Sequence, residues 1–190
     1  MKSVKIGNQE WSTENLNVDH FNNGDEIQQV ESAEDWLKCL ENKTPAWCYY
    51  DNDPVKGDTY GKLYNAFAVM DVRGIAPEGW HIPTAEQWSE LVEFLGGAST
   101  GKLLKSSSGW LEDGNGTDIH SFGALPGGYR TPASASYKYL GEYGFWWSAS
   151  QVSKINKSPW AYYMSSDNAE VDRSGYNPLC GFSVRCVKNK

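Results

Sequence analysis

Aliphatic side chains are sparse in this 190-residue chain, and no apolar run approaches the roughly 20 residues a helix needs to cross a bilayer. A bundle built on Leu, Ile and Val ridges is therefore disfavoured, and direct membrane insertion is not expected. Positive charge is also short. The 17 Lys and Arg stand against 24 Asp and Glu, giving a net charge of -7 and a pI near 5.0. A sequence-independent nucleic-acid binder needs a basic face to displace counterions, so that class is excluded. The chain has only three histidines, and its four cysteines (Cys39, Cys48, Cys180 and Cys186) form no C-x-x-C pair. A zinc site does not follow from such a set. Free buried thiols and disulfides both stay open for these cysteines, because four allow three connectivities and the choice turns on the redox compartment. Met1-Lys2-Ser3-Val4-Lys5-Ile6-Gly7-Asn8 carries no apolar signal region. Three routes stay open: retention inside, excision from a larger exported product, or exit by assembly into a particle.

Aromatic residues are abundant instead, at 14% with nine Trp and eleven Tyr, alongside 19 Gly. This composition points to one loop-rich domain spanning 1-190, with a core built from large rings. Val4-Lys5-Ile6 opens as a strand, Gly7-Asn8 turns, and a second extended run lies around Trp11 to Leu16. Ser32 is placed to cap a helix over 33 to 40 with Trp36, Leu37 and Leu40 on one face. Pro45-Ala46-Trp47-Cys48-Tyr49-Tyr50 reads as a short aromatic strand ended by Asp51-Asn52-Asp53-Pro54. That loop, and Asp113-Gly114-Asn115-Gly116-Thr117-Asp118, lack the ordered acids and distal Glu of a calcium loop and read as turns. Thr84 and Gln87 form a capping-box pattern behind Pro83. Trp88, Leu91, Val92 and Leu95 then recur at helical spacing, which predicts a helix over 84 to 95. His81, with no nucleophile or carboxylate at a recognisable spacing, reads as a structural residue beside Trp80.

The C-terminal quarter divides into core and display. Trp146-Trp147 and the alternating Phe182, Val184 and Cys186 read as buried strands. Between them, residues 151 to 179 are polar and aromatic with almost no aliphatic content, so they cannot form a core of their own. Their composition suits a binding surface, in which Tyr, Trp, Ser, Asn and Arg offer contact area and adaptable hydrogen bonds. The candidate ligand-binding residues are Ser153, Lys154, Asn156, Trp160, Tyr162, Ser165, Asp167, Asn168, Asp172, Arg173, Ser174, Tyr176 and Asn177. In a strand around Trp160, alternation puts Ala161 and Tyr163 on one face and Trp160, Tyr162 and Met164 on the other, but leaves open which face is inward.

Seven separated motifs, in order along nearly the whole chain, resemble one bacterial family. They begin with Val4-Lys5-Ile6-Gly7-Asn8-Gln9-Glu10-Trp11 (with Glu14-Asn15-Leu16-Asn17), Pro45-Ala46-Trp47-Cys48-Tyr49-Tyr50 and Tyr60-Gly61-Lys62-Leu63-Tyr64-Asn65. Gly79-Trp80-His81-Ile82-Pro83-Thr84, Leu125-Pro126-Gly127-Gly128-Tyr129-Arg130, Trp146-Trp147-Ser148 and Gly181-Phe182-Ser183-Val184-Arg185-Cys186-Val187 complete the set. Together they look like the Fibrobacter succinogenes major paralogous domain. The resemblance implies an α+β, C-type-lectin-like fold of the formylglycine-generating-enzyme branch. Its two helices would pack on short irregular antiparallel sheets, with the N- and C-terminal strands adjacent. It also implies a surface, secreted or virion-associated setting in Bacteroidetes and related bacteria. The same fold carries the variable proteins of diversity-generating retroelements, often at bacteriophage receptor-binding tips, and residues 151 to 179 stand where those proteins vary.

Two functions of different class follow. The first is a non-catalytic module that binds a cell-surface glycan or protein, as an adhesin or receptor-binding protein does. It would need no cofactor, and homo-oligomer formation would raise its avidity. The second is a thiol-dependent oxidase related to formylglycine-generating enzyme, for which Cys180 and Cys186 are the nearest pair. Accessible thiolates of lowered pKa would be required there, and alternation instead places Cys186 inside. An enzyme is not expected.

Overall fold

The computed structural model describes residues 1–153 and 158–190. In chain order the strands are β1 Ser3–Ile6, β2 Gln9–Ser12, β3 Gln28–Gln29, β4 Ala46–Cys48, β5 Leu63–Tyr64, β6 Trp80–His81, β7 Gly127–Arg130, β8 Tyr137–Leu140, β9 Tyr143–Gln151, β10 Pro159–Ser165, β11 Asp172–Gly175 and β12 Val187–Lys188. The helices are α1 Ala33–Asn42, α2 Pro54–Tyr60, α3 Ala66–Val69, α4 Ala85–Phe94 and α5 Gly101–Leu104. The result is α+β, with several small sheets and two helices of substantial length.

Local chemistry explains those two. Ser32 Oγ accepts the Asp35 N–H at the start of α1. Thr84 and Gln87 form the reciprocal capping box of α4. Replacing Thr84 with Ala should cost about 1 kcal/mol in a urea melt, and an unchanged midpoint would show that the box carries no weight. On α1 the inward residues are Trp36 and Cys39, while Leu37 and Leu40 are exposed. The apolar face expected from the sequence is thus rotated, because the Trp36 indole reaches inward to donate to the Leu179 carbonyl. The Asp51–Pro54 turn also differs from expectation, since it opens into α2. Asp53 caps that helix through the Val55 N–H, and Pro54 occupies its first turn.

Three sheets form, in the orders β1-β2-β12-β6, β3-β4-β5 and β11-β10-β9-β7-β8. Strands from the two ends of the chain are adjacent, Val187 pairing with both Trp11 and His81. The ladders are not all antiparallel: β3 pairs with β4, and β7 with β9, in parallel.

The segment from 179 to 187 departs most from a simple strand. Every residue in it is buried. It forms isolated bridges from Gly181 to Arg130, Phe182 to Tyr64 and Ser183 to Trp146, and so runs as a cord between the sheets rather than along one of them. Arg185 is fully buried, where strand alternation would have turned it outward. Its guanidinium donates to the carbonyls of Ser12, Phe122 and Gly123 and to Asn15 Oδ1. Arg130 works in the same way, donating to the carbonyls of Val30, Glu31, Ser32 and Ala135 while stacked over Trp36. These two cations satisfy loop carbonyls that short strands leave unpaired.

Rings fill the space between. Trp88 of α4 lies 4.7 Å from Trp11 and stacks on Tyr162 at 5.0 Å. Phe182 stacks on Phe145 at 4.8 Å and touches Trp147 at 4.5 Å. Among the described residues, no helix is long and apolar enough to cross a membrane.

Candidate functional site

The register of the five-stranded sheet divides the expected display segment between two faces. Tyr162 and Met164 of β10 turn toward α4, where Tyr162 Oη donates to the Ala85 carbonyl. Ala161 and Tyr163 turn to the opposite face. The edge strand β11 pairs Tyr162 with Arg173 and Tyr163 with Asp172. Residues directly opposite share a face, so Arg173 lies on the α4 side and Asp172 and Ser174 on the Tyr163 side. Residues 151 to 179 therefore do not make one patch.

Several single positions change with them. Tyr162 and Ser165 are buried and cannot meet a ligand at the surface. Trp160 is half-buried beneath the Arg173 guanidinium, 5.0 Å from its ring. Asp167, Asn168 and Asn177 are exposed but already serve turns. Ser165 Oγ donates to Asp167, Asn168 Oδ1 accepts the Glu170 N–H, and Asn177 Oδ1 accepts the Leu179 N–H. Ser153 and Ser174 are exposed, and Tyr176 is half-buried. Lys154 and Asn156 lie outside the described residues.

On the Tyr163 side a row of rings crosses the whole sheet. Tyr139 of β8, 44% exposed, stacks on Tyr129 of β7 at 5.9 Å and lies 5.0 Å from Tyr143 of β9. Tyr143 stacks on Phe145 at 5.6 Å, and Phe145 lies 5.6 Å from Tyr163 of β10. Tyr176, just after β11, closes the row edge-on to Phe145 at 5.9 Å. Four of the five tyrosines are half-buried and Tyr139 is exposed. Among the described residues, none of their hydroxyls is engaged in a hydrogen bond. Phe145 and Phe182 are buried beneath and hold the rings in place.

Sequence reasoning passed over Tyr129, Tyr139, Tyr143 and Tyr163, because three of them precede residue 151. The signal that could have found them is the Tyr137-Lys138-Tyr139-Leu140-Gly141-Glu142-Tyr143 run, dense in tyrosine around a Gly turn. Tyr139 also adopts φ +63°, a left-handed conformation that disfavours a bulky side chain. Strain of this kind, of order 1–3 kcal/mol, clusters at functional positions.

A model of the Fibrobacter succinogenes major domain matches residues 4–188. The chain belongs to that family. No curated protein and no solved structure matched it.

In this major domain the charges acting on the tyrosine row are carboxylates. Burial, then Asp172 and Glu170, raise the pKa of Tyr163, while burial, then Asp167 and Glu142, raise that of Tyr143. Burial raises Tyr129 and Tyr176 as well. All four phenols stay protonated at neutral pH and keep both donor and acceptor capacity. The cysteines are free and buried, and none has a neighbour that would favour a thiolate strongly enough to offset its burial. Desolvation pushes both Cys180 and Cys186 up to about 12. His81 is held between Asn189 and Gln87, its Nδ1 2.6 Å from Asn189 Oδ1.

These shifts set an alkaline limit on the fold. Cys180 and Cys186 ionise near 9.0 when unfolded and near 12 when folded. Between those values the unfolded chain binds fewer protons, so stability falls as pH rises. The contribution is complete below pH about 9 and is lost through about 12, and the raised phenols of Tyr64 and Tyr137 act in the same direction. Arg185, lowered by burial to about 9, acts in the opposite sense over the same range and offsets part of the loss. Melting temperatures should hold from pH 7 to 9 and then fall at 10 and 11. A flat profile would mean that the thiols reach solvent.

Proposed function

We propose that this domain is a non-catalytic binding module that meets its partner with the tyrosine row and the Asp172–Ser174 border. Its scaffold is taken as the C-type-lectin-like fold of the formylglycine-generating-enzyme branch, with the adjacent terminal strands and two capped helices in support. The partner is a glycan or protein on a cell surface, and the carrier a surface adhesin or a phage receptor-binding protein of the retroelement-diversified kind. One observation carries the assignment: five tyrosyl hydroxyls with no hydrogen bond among the described residues stand on a rigid, stacked base. Tyrosine offers large contact area at low entropic cost, and a row already locked by packing loses little more on binding. Thiol oxidation is disfavoured because a nucleophilic cysteine needs exposure and a lowered pKa, and Cys180 and Cys186 have neither.

Tyr139→Gly separates binding from folding. Glycine relieves the φ +63° strain, while the lost ring contacts with Tyr129 and Tyr143 cost about 0.5–1.5 kcal/mol each. Stability should therefore change by no more than about 1–2 kcal/mol. Binding of the labelled domain to bacterial envelope preparations should fall at least tenfold. Equal binding by wild type and variant would place the surface elsewhere, and no binding by wild type to any envelope would remove the assignment.

A further inference from the structure

The face accepts only certain chemistry. The fixed charges acting on Tyr143, Tyr163 and Tyr176 come from Asp167, Glu142, Asp172 and Glu170. Arg173 is turned to the other side of β11, against Trp160. Lys138 stands opposite Tyr129 in the register and Lys105 acts on Asp167, so the carboxylates outnumber the cations here rather than stand alone, and a net negative field disfavours phosphates, sulfates and carboxylates. Carboxylates accept hydrogen bonds and never donate, and the phenols do both, so the ligand must bring many donors of its own. Ring spacing adds a second constraint. With centroids of neighbouring rings 5.0–5.9 Å apart from Tyr129 through Tyr139 and Tyr143 to Phe145, these rings stand too close together for an anchoring side chain to insert between them. Tight protein interfaces centre on pockets that take such anchors. From Tyr139 through Tyr143 and Phe145 to Tyr176 the ring centroids are 5.0, 5.6 and 5.9 Å apart, so the row extends over no more than about 16.5 Å. That length suits a chain better than a single small molecule.

Building on the binding role proposed above, we infer that the occupant is a neutral polysaccharide chain, its C–H faces laid over the tyrosines and its hydroxyls donating to Asp172 and neighbouring carboxylates. A neutral polyhydroxylated ring supplies an apolar face and a fringe of donors without negative charge.

The test is affinity electrophoresis of the native domain in gels containing cereal β-glucan, xylan or galactomannan, with polygalacturonate as the acidic polymer and chitosan as the cationic one. Retardation by at least one neutral polymer is expected, with none by polygalacturonate. Oligomers of four or more sugars should compete better than the disaccharide, and Tyr139→Gly and Asp172→Asn should each weaken retardation at least tenfold. If no neutral polymer retards the domain, the glycan assignment is overturned. Retardation by chitosan alone would reassign the face to a cationic ligand. Envelope binding keeps the two levels distinct. Loss of that binding after periodate treatment of the envelopes supports a glycan. Survival through periodate with loss after protease treatment overturns the glycan but leaves the tyrosine face as the binding surface.

Discussion

Arg185→Met is expected to lose about 3–6 kcal/mol of stability, enough to leave little folded protein at 37 °C. The loss comes from what the guanidinium holds rather than from its charge. Three backbone carbonyls, those of Ser12, Phe122 and Gly123, accept from it at 2.6–2.7 Å. Each buried acceptor left unpaired costs roughly 1–3 kcal/mol, against a total near 5–15 kcal/mol for a typical domain. Among the described residues no carboxylate pairs with Arg185, and burial lowers its pKa to about 9, so it remains charged at neutral pH. Replacing a buried cation with an apolar residue can be harmless when its partner was another charge, since both desolvation costs vanish together. Here the partners are main-chain groups of three segments that stay in place. Arg185→Lys should recover less than half of the loss, because one ammonium cannot span the fork of acceptors that a planar guanidinium reaches. Urea melts of both variants decide the matter. A Met variant as stable as wild type would show that the carbonyls find other donors.

The same residue shows where sequence patterning stops. The helices were legible because their determinants are local: Ser32, Thr84 and Gln87 lie within four residues of the groups they cap. Trp88, Trp146 and Trp147 were legible as core because large rings in a chain poor in aliphatics have to be buried. Arg185 was not. Alternation with Val184 and Cys186 turns it to solvent, and only the presence of Phe122 and Gly123, about sixty positions away, converts an outward position into an interior one. Leu37 and Leu40 failed in the opposite sense. Helical spacing groups them with Trp36, but the Trp36 indole locks onto Leu179 and rotates them outward. The candidate site was half legible for a related reason. Composition marked residues 151 to 179 as unable to form a core, yet which side of β10 faces α4 depends on Trp88 stacking on Tyr162. That contact sends Arg173 and Tyr163 to opposite faces. It also leaves Asp172 and Tyr176 as members of a surface whose other rings belong to β7, β8, β9 and β10.

Gly128→Ala should damage fold and site together. Gly128 adopts φ +60°, and a Cβ there would sit 2.4 Å from the Lys138 carbonyl oxygen, 2.7 Å from the Tyr50 ring and 2.9 Å from the Leu140 N. Left-handed strain contributes about 1–2 kcal/mol and forced overpacking about 1–3. The two obstacles on the β8 backbone cannot rotate away as a side chain would, so β7 and β8 must separate. That separation breaks the Tyr129 to Lys138 pairing and moves Tyr139 off Tyr129. A fall in melting temperature of roughly 5–15 °C follows, at about 2–4 °C per kcal/mol for a chain of this length, with envelope binding lost as well. Gly24→Ala is the control: its φ is +89° but nothing lies within 4 Å of the added carbon, so only the backbone strain of about 1–2 kcal/mol remains and binding should persist. Tyr139→Gly completes the comparison, with binding lost and stability nearly kept. A Gly128→Ala protein that melts like Gly24→Ala and still binds would mean that β8 can shift without carrying its tyrosine away, and the rigid base assigned to the row would then be wrong.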